Sequence, residues 1–170
     1  MKPAFIISFL LIGCLVSAQT VFEKQVLQII NDAGHNFESF KGEFKKISFA
    51  SPDTTSVYYT TTTILGTKEN TLNISNFFIF YDALVADSLK KSEAKRMLQE
   101  WKKKLNFLLS HGFESKKYEK KPWNPSEDGW TFSNGDLTVT LNLYSKMGTS
   151  SSYFIYLSVS KITNIPDIKN

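Results

Sequence analysis

At 170 residues the chain has room for one domain. Its 42% hydrophobic and 21% charged residues exclude disordered, collagen-like and low-complexity architectures. One Cys, Cys14, and two His, His35 and His111, are too few for a zinc ribbon, a Cys/His cluster or a thioredoxin-type motif, so neither metal nor cofactor is expected. The 14 Phe, 7 Tyr and 3 Trp are bulky enough to fill a core without a disulfide.

The N-terminus reads as an export signal. Met1-Lys2 supplies a positive start, Ala4 to Val16 is an apolar run, and Val16-Ser17-Ala18 is a small-x-small cleavage site before Gln19. Residues 1–18 are therefore expected to be removed, leaving a secreted or periplasmic bacterial protein. Loss of Lys2 alone takes the net charge from +4 to +3. The run is shorter than the roughly 18 apolar residues that a spanning helix needs, and no later stretch qualifies, so the mature protein is expected to have no transmembrane helix. The alternative is a lipoprotein: Leu11-Ile12-Gly13-Cys14 resembles a lipobox, which would anchor the chain to the envelope through Cys14. The following Leu15-Val16-Ser17-Ala18-Gln19 fits ordinary cleavage better than a polar tether.

A single domain is expected over 19–163, followed by a tail at 164–170. Phe22, Val26, Ile29, Ile30, Ala33, Phe37 and Phe40 recur every three or four residues, which predicts a first helix over Val21 to Phe40 with Gly42 as its left-handed stop. Ser56 to Leu65 is rich in strand-favouring Thr, Tyr, Val and Ile, Gly66 to Asn70 is a hairpin loop, and Thr71 to Tyr81 returns as a second strand. Asp87 or Ser88 is suited to cap a second helix reaching Ser110, whose apolar stripe is Ala94, Met97, Leu98, Trp101, Leu105 and Leu108. Gly112 closes it.

Phe113 to Lys121 reads as a charged edge strand, and Gly129 to Ser133 as a short one. Asn134-Gly135 is a hairpin signal. It leads into Leu137 to Tyr144 and then Tyr153 to Ser160, both alternating apolar with polar residues. The expected fold is an α+β two-layer sandwich: an antiparallel sheet of about five strands with two amphipathic helices on one face, in the order α-β-β-α-β-β-β. The two helix-plus-hairpin halves show no residue-level repeat.

Three features are candidates for function. The alternation of the last two strands places Tyr144 and Tyr156 on the outward sheet face, where amphipathic rings suit a partner or a glycan. The loop from Lys121 to Trp130 sets Trp123 and Trp130 around two prolines and an acidic pair, a composition suited to stacking on a sugar. Lys90 to Lys121 carries eleven basic residues against four Glu, a local charge of +7. Lys95, Lys102, Lys103 and Lys104 lie there, a surface suited to anionic lipid or to an acidic envelope protein. Mostly Lys, without Arg forks and in an exported chain, this charge does not point to nucleic acid. There is no Gly-x-Ser-x-Gly, no phosphate loop and no calcium loop. A non-catalytic binding or envelope-associated module is the leading expectation, and a small secreted hydrolase built on His35 or His111 the alternative.

Overall fold

The computed structural model describes residues 20–50, 53–76, 78–118, 126–145 and 152–161. The expected signal peptide with Cys14, the residue Trp123 and the 164–170 tail lie outside them. The first helix, α1, covers residues 20–33. Phe22, Val26, Ile29, Ile30 and Ala33 form its buried stripe. The helix ends well before Phe40: Asn36 and Phe37 are both left-handed at φ 57°, and a 3-10 turn at Glu38–Phe40 follows. Phe37 and Phe40 still reach the core from this turn, which is why the helical spacing continues through them. Gly42 does not stop a helix. It sits in a strand, where a Cβ would meet the Tyr59 carbonyl oxygen at 2.8 Å, so glycine serves a close strand approach.

The strands are β1 (Lys41–Ala50), β2 (Asp53–Thr60), β3 (Glu69–Ile74), β4 (Ile79–Leu89), β5 (Glu114–Lys117), β6 (Ser126–Asn134), β7 (Leu137–Ser145) and β8 (Tyr153–Lys161). They form one antiparallel sheet in the order β1-β2-β3-β4-β8-β7-β6-β5. This overturns the expected α+β sandwich of about five strands: the fold is dominated by an eight-stranded sheet, with two helices and no more among the described residues. Two strands were hidden from the pattern, each for a physical reason. β1 carries Lys41, Glu43, Lys45 and Lys46, the charges of an exposed edge strand. β3 and β4 read as one strand because the turn between them precedes an unbroken apolar run. The Ser75 N–H donates to the Phe78 carbonyl oxygen at 3.0 Å and reverses the chain there.

The second helix, α2, spans Lys91–Leu105 and continues as a 3-10 turn to His111. It starts later than its capping signal, because Asp87 and Ser88 still belong to β4. Ser88 is left-handed at φ 56° in a stretch where the pairing with β8 shifts register. Glu93 instead accepts the Lys90 backbone N–H at 3.1 Å, satisfying one of the donors a helix start leaves free. Gly112 closes the 3-10 turn at φ 80°.

Each half of the chain runs helix, then four antiparallel strands. The halves meet where β4 pairs with β8, so the strands count inward from both edges of the sheet. Both helices cover the same face. Leu72, Tyr81, Ala83, Val139, Leu141, Leu143, Ile155, Leu157 and Val159 meet α1 and α2 in one continuous core. The Phe22 ring on α1 and the Trp101 ring on α2 meet in a T-shaped contact, centroids 5.5 Å apart. Among the described residues no helix is long and apolar enough to cross a membrane.

A candidate ligand cavity on the helix-free face

Period-two alternation sends every second strand residue to the opposite face. Directly paired residues share a face, so the register defines rows across it. One row runs Thr71, Asp82, Ser158, Thr140, Thr131 over β3, β4, β8, β7 and β6. The next runs Glu69, Leu84, Tyr156, Asn142, and a third Lys46, Val57, Asn73, Phe80, Ser160. Thr55, Val57, Thr71 and Asn73 are buried here although they lie outside the helix-covered core. They line a cavity of about 340 Å³ with Lys45, Lys46, Glu69, Phe78, Phe80, Asp82 and Tyr156.

Asp82 is the chemical centre of this cavity. Its carboxyl accepts a hydrogen bond from the Ser158 hydroxyl and another from the Asn73 amide at 3.2 Å. Lys45 pairs with Glu69 on the same face. Burial pushes the Asp82 carboxyl up to about 7, and the Ser158 hydrogen bond only partly offsets this. The Tyr144 and Tyr156 phenols are also raised, first by burial and then by the nearby Asp82 charge. Both stay neutral near pH 7.

Tyr156 also lines a second cavity of about 310 Å³ with Leu84, Asp87, Ser88, Ser152 and Phe154. Tyr144 stacks on Phe154 at 5.3 Å and 16°, and Phe154 meets Tyr156 edge-on at 5.7 Å. The structure thus brings Tyr144 and Tyr156 together, in one aromatic patch beside the Asp82 cavity.

The other sequence candidates lie elsewhere. Trp130 packs against the core on the helix side, with the Lys102 ammonium 4.7 Å from its ring centroid. Its indole nitrogen is buried without a hydrogen-bond partner among the described residues. Trp130 is therefore separated by the sheet from Tyr144 and Tyr156. Lys104 lies over Trp101 at 5.1 Å and Phe22 at 5.8 Å, while Lys95 and Lys103 are exposed on α2. His35 is exposed in the turn after α1, and His111 is exposed with its ring 5.9 Å from Phe107. Neither lines either cavity.

Asp82 was missed by sequence reasoning, as were Asn73 and Phe80. A signal for Asp82 was present: it is the one charged residue in Ile79-Phe80-Tyr81-Asp82-Ala83-Leu84-Val85. A carboxyl so placed in a central strand is costly unless the fold provides for it. No family model, curated protein or solved structure matches this chain.

Proposed function

We propose that this chain is a small exported bacterial binding module that works without catalysis and takes its ligand on the helix-free sheet face. The observation that carries this reading is the cavity lined by Asp82 and Asn73 together with Phe80 and Tyr156, with the Asp82 carboxyl held by hydrogen bonds from Ser158 and Asn73. Polar groups held in place beside aromatic walls are what orient a small ligand. The exposed turn positions of His35 and His111 support binding rather than hydrolysis, since a histidine base has to face a nucleophile within hydrogen-bond reach.

Amide chemical shifts of the ¹⁵N-labelled protein test this against a panel of amines, glycosides and carboxylates, with anionic vesicles alongside. Shifts clustered around Asn73, Asp82 and Tyr156, abolished by Tyr156→Ala, are the expected result. A response confined to Lys95, Lys103 and their neighbours on α2, seen only with anionic vesicles, would place the interaction on the lysine face and overturn the reading.

A further inference from the structure

Asp82 has hydrogen-bond donors but no ion-pair partner among the described residues. Ser158 and Asn73 orient the carboxyl, and no lysine, arginine or histidine among the described residues forms an ion pair with it. Lys45 is committed to Glu69. Lys46 lines the same cavity from β1 but forms no ion pair with Asp82. Buried charges are ordinarily paired, and one that is not is stabilised by whatever cation reaches it. The surroundings suit a particular kind of cation. Phe80 shares the face of Asp82 on β4, Tyr156 stands on the neighbouring β8, and both line the cavity. Ring faces attract alkylammonium groups. A metal ion is a poor fit, because no cluster of three or more acidic, His or Cys residues occurs among the described residues.

We infer that the cavity binds an organic ammonium ion, with its nitrogen on the Asp82 carboxylate and its apolar part against Phe80, Tyr156 and Val57. This rests on the reading of the helix-free face as the binding face, and it names the ligand class. The titratable and charged groups facing Asp82 are Lys45 and Lys46 from β1, Glu69 from β3, Tyr156 from β8 and Tyr144 from β7. With the carboxyl held up at about 7 by burial, a cation that needs the ionised form binds more tightly as pH rises, and its uptake releases a proton.

The test uses phenethylammonium, its neutral analogue 2-phenylethanol, and methyl glucoside, each titrated into the ¹⁵N-labelled protein. The expected result is that phenethylammonium shifts the amides around Asp82 and Tyr156 and binds at least about tenfold more tightly than the alcohol. Between pH 6 and pH 8 its affinity should rise about tenfold, as the carboxyl goes from mostly protonated to mostly ionised. Asp82→Asn should remove both the preference and the pH dependence. Tyr156→Leu should weaken the amine severalfold while leaving Asp82 intact, which gives an independent check. Equal binding of the alcohol or the glucoside at the same residues would overturn the ammonium assignment and leave the binding face standing. Absence of shifts with all three probes would overturn both.

Discussion

The burial that raises the Asp82 carboxyl makes the stability of the fold depend on pH. Its carboxyl titrates near 3.8 in a free chain and at about 7 in the fold. Below about pH 4 both states are protonated and the group contributes nothing. Between about pH 4 and pH 7 the unfolded chain gives up a proton that the folded one keeps, so stability falls as pH rises, and above that range the penalty is constant. Asp82→Asn should therefore be more stable than the parent by on the order of 2 kcal/mol at pH 8, with the gain gone near pH 3.5. Urea unfolding at the two pH values measures this. Gly129 is constrained differently. A Cβ there would meet the Leu141 carbonyl oxygen at 2.5 Å and Asn142 Oδ1 at 2.7 Å, close to where β6 shifts register against β7. Gly129→Ala should cost about 1–3 kcal/mol, as a forced contact with a backbone that has no room to yield, and a thermal melt reads it.

At the scale of elements, what was legible followed from how local each signal was. Leu137 to Tyr144 and Tyr153 to Ser160 alternate cleanly, so their two faces, and with them Tyr144 and Tyr156, could be read directly. The stripe of Ala94, Leu98, Trp101 and Leu105 likewise marks α2. β1 was not legible, because an edge strand needs charge to discourage further pairing and charge erases the alternation. β3 and β4 merged because a two-polar-residue turn, Ser75-Asn76, is a weak break beside continuous apolar sequence. The cavity was illegible for a related reason: its residues come from β1, β2, β3, β4 and β8 and meet only through the register. Two predictions belong here. Trp101→Ala removes its ring contact with Phe22 across the two helices and should destabilise the fold by about 3–5 kcal/mol, seen as a lower melting temperature. β5 is an edge strand exposed along its length. Replacing Glu114 and Lys117 by Val should promote concentration-dependent association, measurable by light scattering.

The described residues form two helix-plus-four-strand halves that share one core. Without its partner, the first half would expose β4 as a long apolar edge, and Phe22 would lose Trp101. A fragment of residues 20–90 should consequently show no cooperative melting transition by circular dichroism, whereas a folded fragment would show the halves to be independent. The join between them also positions the site, since Asp82 on β4 and Ser158 on β8 face each other across it. An Asp82 carboxyl enclosed at that join, with no ion-pair partner among the described residues, is the central feature of the proposed binding face. Its titration in the ligand-free protein, followed by the side-chain carboxyl ¹³C shift, tests this most directly. A midpoint near 7 is the expected result. A midpoint near 4, the value of a solvated aspartate, would show the carboxyl open to water and contradict the enclosed cavity proposed as the binding site.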